Sequence, residues 1–423
     1  MKAVFAFGKT GLSLSLPDGP QYDIAEIRSA GPLGDVTAAL GRALDRPVGS
    51  RPLVELAAGK RTAAISVCDI TRPAPNRVTL PPLLERLQAA GIPDDGITIL
   101  IATGLHRAAT GAEIDTILGP EIAARYRVVN HDARAFDDHQ PLGSTARGTP
   151  VYIDKRFMEA DLHITLGFIE QHLMLGFSGG RKLIAPGLAA QETIKVIHSP
   201  RFMREPMATE GSIEANPLHA ELLEIARMAH HDFVLDVTLT QQREISGVFA
   251  GDPVEAHAAG VAFLRSTSLA PLPAYADAVI TSAAGYPLDL TFYQCGKGVT
   301  AAQHVVKPGG RILLLGECAE GVGSPEFADK LRSFAGHEQY LHEIADTPVV
   351  PDQWQLEKLA LVGLNHRLFF YTPGVSEEDL GALGADSLSD PNEAVQRALE
   401  GLPADAHVVL IPEGPYCFAR VTG

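Results

Sequence analysis

An α/β protein of two Rossmann-like domains, each built on a mostly parallel sheet, is what the sequence predicts. Three observations carry that expectation. From Thr62 onward, short apolar runs alternate with helical stretches: TAAISVCD, residues 78–90, ITILIATG, residues 111–118 and RYRVVNHDA. Late in the chain the Pro-rich segment SLAPLPAYAD, with Pro271 and Pro273, reads as a linker. Beyond it DAVITSAAG, residues 291–306 and KPGGRILLLGE read as strand, helix, turn and strand, a second βαβ unit. The length of 423 residues fits two or three domains. The expected division is 1–268 for an N-terminal domain and 275–423 for a C-terminal one.

Each element follows from local pattern. Residues 3–7 and 12–16 read as a strand hairpin, and Ala- and Leu-rich residues 36–42 and 52–56 as helices. TAAISVCD and ITILIATG are continuous apolar runs closed by polar turn residues, the mark of strands buried on both faces. The loops ITRPAPN and LHRAAT follow them. Residues 140–165 read as a polar hairpin running into a strand at 162–166. A helix is expected at 217–228, then a strand pair from FVLDVTLT and REISGVFAGD, then a helix at 253–266. In the second domain, helices at 325–334 and 393–402 and strands at 367–371 and 407–411 complete the pattern. The last strand or the tail after it is a candidate to cross back to the first domain.

Composition narrows the function. Hydrophobic residues at 46% and charged residues at 20% are ordinary for a globular protein with sizeable cores. A formal net charge of −16 argues against nucleic acid as a partner but leaves room for a small anion at a local cationic site. The first residues lack the apolar core and cleavage site of a secretory signal, and no run reaches the roughly 18 apolar residues of a membrane span. Cys68, Cys295, Cys318 and Cys417 lie far apart, which counts against a disulfide framework or a cysteine-rich zinc knuckle. A reducing cytoplasm and no membrane partner are the expectation.

The chemistry-bearing residues concentrate in LGFIEQHLMLGFSGGRKLIAPGLAAQETIKVIHSP. It holds His172, the glycines Gly176, Gly179 and Gly180, the cations Arg181 and Lys182, and His198. Glycines let the backbone approach a bound group, and a Lys among apolar neighbours can serve as a nucleophile or attachment point. Two further clusters fall just beyond predicted strand ends, where ligands of open α/β sheets gather. Asp69-Ile70-Thr71-Arg72-Pro73 offers an Arg suited to a carboxylate or phosphate. Thr103-Gly104-Leu105-His106-Arg107 offers a His suited to proton transfer near neutrality. In Tyr293-Gln294-Cys295-Gly296-Lys297, Gln294 and Lys297 are three apart and share a helical face, a plausible carboxylate-binding pair. Taken alone, each has an ordinary reading as a loop cation, a hydrogen-bonded histidine or a solvated helix face. Trp354, the single tryptophan, reads as a packing residue, and His131, His139, His219, His230, His231, His257 and His304 as structural or surface residues. GFSGGRKL lacks the residue order of a P-loop, and no G-x-G-x-x-G follows a strand.

DITRP, TGLHR, HLMLGFSGGRKLIAPG, ETIKVIHS and YQCGKG, in that order, resemble the nickel-pincer nucleotide-dependent lactate racemase family. The resemblance implies a racemase or epimerase of 2-hydroxycarboxylates, lactate by default, with its active site in an interdomain cleft. It implies a nickel-pincer nucleotide, Ni(II) pyridinium-3,5-bisthiocarboxylic acid mononucleotide, attached covalently to Lys182, with His198 as the protein's ligand to nickel. By the same resemblance His106 and His172 are the acid–base pair. Asp69, Ile70, Thr71 and Arg72 hold the cofactor, while Arg72, Gln294, Lys297 and Trp354 contact substrate. Cofactor-biosynthesis proteins are then implied partners for loading. Two other readings stand beside it: a zinc-dependent hydrolase using His106, His172 and His198, and a non-catalytic hydroxyacid-binding homologue.

Overall fold

The computed structural model describes residues 1–380, 383, 386–388 and 390–422. They divide into two α/β units, one of residues 29–197 and 207–267, the other of residues 1–28, 198–206 and 268–423.

The first of these carries a six-stranded sheet in the spatial order Ile245–Gly251, Phe233–Leu239, His163–Phe168, Ala63–Cys68, Ile97–Ala102, Arg127–Asn130. All neighbours are parallel except the edge pair Phe233–Leu239 and Ile245–Gly251. Ala63–Cys68 and His163–Phe168 are buried at every position, as parallel strands covered on both faces must be. The helix Asn76–Ala89 packs Leu80, Leu83, Leu84 and Leu87 into the core shared with Ile65, Val67 and Ile99. From Ala63–Cys68 the chain builds outward through Ile97–Ala102 and Arg127–Asn130, then crosses to lay His163–Phe168 on the other side. The carboxyl ends of Ala63–Cys68 and His163–Phe168 therefore flank the point where strand order reverses, the usual ligand crevice of such sheets. The expected polar hairpin is present as His139–Ser144 paired with Pro150–Asp154.

The second unit has a six-stranded, wholly parallel sheet in the order Asp386–Ser387, Arg367–Tyr371, Val306–Leu315, Ala276–Ser282, His407–Ile411, Gln21–Ile24. The helix Phe292–Ala302 follows Ala276–Ser282 and buries Phe292, Cys295 and Val299 against Ile312 and Leu314.

Three details differ from the sequence reading. Residues 1–28 group with 268–423 and not with the N-terminal domain of 1–268. The reason is an edge strand: Gln21–Ile24 pairs in parallel with His407–Ile411, and Phe5, Leu14 and Leu16 share a core with Ile280, Leu313 and Phe369. The crossing expected of the C-terminal tail is thus made by the N-terminus, since Phe418–Val421 pairs with Leu269–Leu272 inside its own unit. That second pairing also corrects the linker, because Pro271 sits within a strand of a two-stranded ribbon, where a missing N–H is tolerated. The helices His337–Glu343 and Gln353–Gly363 were not expected. No described helix is long and apolar enough to cross a membrane.

Phe5→Ala removes a wholly buried ring from the second unit. A loss of about 3–5 kcal/mol is expected in the denaturation transition reported by Trp354 fluorescence, because the lone tryptophan lies in the same unit. An unchanged Trp354 transition would show that residues 1–28 do not belong there.

Candidate active site

Strand ends position the chemistry of the first unit. Ala63–Cys68 stops at Asp69, which turns the chain by accepting the Arg72 amide at its carbonyl (3.2 Å). The Asp69 side chain is 6% exposed, and both oxygens are engaged: Thr71 Oγ1 donates to Oδ1 at 2.6 Å, and His106 Nδ1 donates to Oδ2 at 2.7 Å. Burial is the largest single influence on this carboxyl and opposes its charge. The His106 hydrogen bond and charge, with Arg72 and Thr71, outweigh it and hold the group below its ordinary range. A carboxylate held this way keeps the imidazole proton on Nδ1 and leaves Nε2 as a base. The His106 side chain is 49% exposed, so that nitrogen is accessible. Ile70 packs against the core beneath the loop and anchors it.

His172 follows the neighbouring strand. Past His163–Phe168 the chain forms a tight antiparallel turn in which His172 opposes Gly176. Ser178 fastens its base, its hydroxyl donating to Phe168 O and its amide to Glu170 O. Gly176 has φ +76°, and an added Cβ there would lie 1.8 Å from the Ser212 carbonyl, so no other residue fits. The amides of Met174 and Leu175 both donate to His172 Nδ1 at 3.3 Å. Neutral His172 therefore carries its hydrogen on Nε2. The two histidines sit in opposite tautomers, one offering a lone pair at Nε2 and the other an N–H.

Lys182 rides on the short turn Gly180–Leu183. Its neighbour Arg181 is 1% exposed, donating to the carbonyls of Leu175 (3.2 Å) and Phe177 (3.0 Å), with His257 Nε2 2.7 Å away. Burial pulls its guanidinium down to about 9. Arg181 is thus a structural anchor and Lys182 the half-buried cation. From the central strand, Ser66 Oγ donates to the Leu183 carbonyl at 2.7 Å. The Gly104 amide donates to Gly187 O at 3.1 Å, tying the His106 loop to the segment after Lys182. Lys182, Arg72 and Asp69 all act electrostatically on the buried Cys68 thiol, which burial above all pushes up to about 12. The structure thus gathers Asp69, Thr71, Arg72, His106 and Lys182 around one strand end. Arg107, though Asp69 acts on it electrostatically, pairs with Glu113 at 2.6 Å and supports the capping box of helix Gly111–Leu118.

In the second unit the His198 ring lies against Trp354, with centroids 4.5 Å apart. Trp354 Nε1 donates to Tyr293 Oη at 3.2 Å, joining it to the helix that bears Gln294 and Lys297. Both of those side chains are half-buried and not on a fully solvated face. Gly296 lies between them because Gln355 presses on the helix there, its Nε2 2.5 Å from where a Cβ would stand. Tyr293 was not singled out from the sequence, although it adjoins Gln294.

Residues 7–211 match the family model for the lactate racemase N-terminal domain, and residues 273–417 that for the lactate racemase C-terminal domain. The lactate racemase of Thermoanaerobacterium thermosaccharolyticum is 34% identical over 419 residues, covering 98% of each chain. The chain belongs to the lactate racemase family. A lactate racemase from Lactiplantibacillus plantarum is 35% identical over 376 residues, 88% of each chain. The solved lactate racemase apoprotein of T. thermosaccharolyticum matches with a TM-score of 0.90 at 33% identity, covering 99% of this chain and all of that one (100%). A Thermotoga maritima protein shares the fold with a TM-score of 0.69 at 16% identity, over 93% of this chain and 100% of its own. As a lactate racemase family member the protein is an isomerase.

The residues present fit the family's cofactor on the chemistry of the donors. Among the described residues no three His, Cys, Asp or Glu side chains converge as a metal-ligand set. A metal at His198 would therefore draw its remaining donors from a bound group, as a sulfur-donating pincer allows. The lactate racemase relatives do not favour a zinc-dependent hydrolase.

Beneath the Lys182 turn lies a group that sequence reasoning missed. Asp236, in the middle of strand Phe233–Leu239, is fully buried, and neither carboxyl oxygen has a well-formed hydrogen bond. It explains one glycine of the FSGG run: with φ +83°, Gly179 would bring a Cβ to 2.6 Å from Asp236 Oδ2. Burial pushes this carboxyl from an ordinary 3.8 up to about 7, against the Gly180 amide and Arg181. A raised carboxyl favours the folded state fully below the ordinary value, and that contribution is lost as pH rises to about 7. Asp236→Asn removes the loss. Its stability advantage over the wild type is expected to be absent near pH 4 and to grow toward about 4 kcal/mol at pH 8. Circular dichroism melts across that range check it, and a pH-independent difference contradicts it.

Proposed function

We propose that this protein interconverts the stereoisomers of a 2-hydroxycarboxylate, lactate or a close relative, by moving the Cα hydrogen as hydride and the hydroxyl hydrogen as a proton. The single observation that carries the reading is the Asp69–His106 pair (2.7 Å) beside the Lys182 turn, at the crevice of the sheet. Taking a proton from Cα would place a second negative charge beside the carboxylate, whereas loss of hydride leaves a neutral ketone.

The group we assign is the nickel-pincer nucleotide, with Lys182 as its attachment point and His198 as the protein's ligand to nickel. When bound, it supplies a reversible acceptor for hydride from the substrate. His106 takes the hydroxyl proton at Nε2, and the Asp69 carboxylate stabilises the imidazolium that results. His172 takes the matching part for the other enantiomer: it returns a proton as the imidazolium, since loss of Nε2–H from its neutral form would leave an imidazolate, so one histidine serves each enantiomer. Arg72, Gln294 and Lys297 offset the substrate carboxylate, and Arg72 with Thr71 and Asp69 also borders the cofactor. Trp354 packs on the His198 ring and fixes its plane. Proteins that synthesise the cofactor are the partners needed for loading. Four buried free thiols support a reducing, cytoplasmic setting.

Protein produced together with the cofactor-synthesis proteins tests the reading. Intact-mass spectrometry should find an adduct of a few hundred daltons on Lys182, with about one nickel per chain. Zinc without an adduct would favour hydrolysis, and neither group would favour a binder. During racemisation in deuterated water, Cα should gain little deuterium; wholesale labelling would favour proton abstraction instead. Asp69→Asn keeps the shape but loses the charge that selects the His106 tautomer. Its kcat should fall by about 10²–10⁴ with the Lys182 adduct retained, and a kcat within a few-fold of wild type would remove Asp69 from the mechanism.

A further inference from the structure

His198 opens a short segment, residues 198–206, whose flanks on both sides belong to the other unit. Something must hold this excursion in place, and one face of helix Gln353–Gly363 does so. Trp354, Glu357 and Lys358 stand three and four residues apart, along a single helical stripe. Trp354 meets the His198 ring at 4.5 Å between centroids. Glu357 Oε1 accepts from Arg204 Nε at 2.8 Å, and Lys358 Nζ donates to the Met203 carbonyl at 2.7 Å. Arg204 Nη2 also donates to the Leu341 carbonyl, on the neighbouring helix His337–Glu343. One stripe of side chains therefore grips the segment at its start and near its end.

The choice of residues says what the grip is for. The Glu357 side chain is 0% exposed and Arg204 33%, and Glu357 Oε2 has no hydrogen-bond partner among the described residues. An ion pair with one partner fully buried is a poor source of net stability, since apolar residues of similar volume often do as well or better. What it supplies is a defined geometry, because the buried Glu357 carboxylate left without Arg204 would be strongly unfavourable. We propose that Arg204, Glu357 and Lys358 are positioning residues for His198, setting the imidazole where it can act as the protein's ligand to nickel. This rests on the reading of His198 given above.

The test uses protein loaded by the cofactor-synthesis proteins, comparing wild type, His198→Ala, Arg204→Lys and the double variant Arg204→Met/Glu357→Met. The double variant removes both members of the ion pair but leaves the buried Lys358 ammonium without the Glu357 charge that acts on it. It should therefore melt in one cooperative transition at a somewhat lower temperature, and above Arg204→Met alone, which leaves the buried Glu357 unpaired. Its Lys182 adduct should persist while nickel retained per adduct after dialysis falls by about 10-fold, the usual cost of losing a ligand's supporting partners. Arg204→Lys, which keeps the charge, should recover most of the nickel. In unloaded protein, acrylamide should quench Trp354 more strongly in the double variant, reporting the loosened segment without any cofactor. Wild-type nickel retention and wild-type quenching in the double variant would overturn the proposal. If His198→Ala also keeps its nickel, the assignment of His198 itself fails; if His198→Ala loses nickel while the double variant does not, only the positioning role fails.

Discussion

The parallel pairing of Ala63–Cys68 with His163–Phe168 is the constraint from which the first unit's chemistry follows. Because the two strands run side by side in one direction, whatever follows each emerges at the same edge. Asp69 follows the first and the His172 turn follows the second. Ile97–Ala102, pairing on the other flank of the central strand, delivers His106 to that edge as well. Three residues scattered over a hundred positions of sequence are thereby brought to one side of a sheet by backbone hydrogen bonding alone. Side-chain contacts then refine the arrangement: the Asp69–His106 bond chooses a tautomer, and the Met174 and Leu175 amides choose the opposite one for His172. A pair of identical imidazoles becomes chemically unequal through its neighbours.

The Lys182 turn shows a second principle, that a half-buried lysine on a glycine turn is set by a buried anchor beside it. Arg181 fills the anchor role by saturating backbone carbonyls of the preceding loop, and Asp236 lies below in the strand with its charge barely supported. Both groups are shifted toward neutrality by burial. The glycines of FSGG are best understood against this layer: at Gly179 a side chain would collide with Asp236, and positive φ turns the chain so that Arg181 goes in while Lys182 stays half-buried. The cost of burying charge here is the cost of fixing a flexible lysine's backbone to a rigid strand.

Much of this was legible in the sequence because it is local. Buried parallel strands announce themselves as unbroken apolar runs, and DITRP and TGLHR are recognisable because turn and chemistry share a few consecutive residues. What was not legible depends on partners distant in sequence. Gln21–Ile24 is four residues of mixed polarity and becomes a strand because His407–Ile411 offers an open parallel edge. Pro271 reads as a linker until Phe418–Val421 pairs beside it. Asp236 looks like an ordinary strand residue in FVLDVTLT; its isolation appears once the glycine loop is laid over it. Arg204 and Glu357 are separated by 153 positions, and neither stands in a motif. His131, expected to be structural, is buried between Asp154 and the Ala189 carbonyl.

The division of labour between the units follows the same logic of anchoring. Lys182, His106 and His172 stand on strand ends and turns of one unit, while His198, Gln294, Lys297 and Trp354 belong to the other. In the proposed mechanism a covalent tether at Lys182 would itself preserve proximity. In the same proposal the imidazole of His198 would have no such insurance, because a bond to a metal is reversible and the ring would have to be presented repeatedly in one orientation. That difference accounts for the unequal investment in structure. The lysine has a glycine turn and one hydroxyl from Ser66 to steady it, whereas the histidine's segment is held by an aromatic ring, a buried ion pair and an ammonium on one helical stripe. Standing at the start of that segment, directly after helix Gln191–Ile197, His198 has little freedom besides its own side-chain torsions, and the Trp354 ring restricts those.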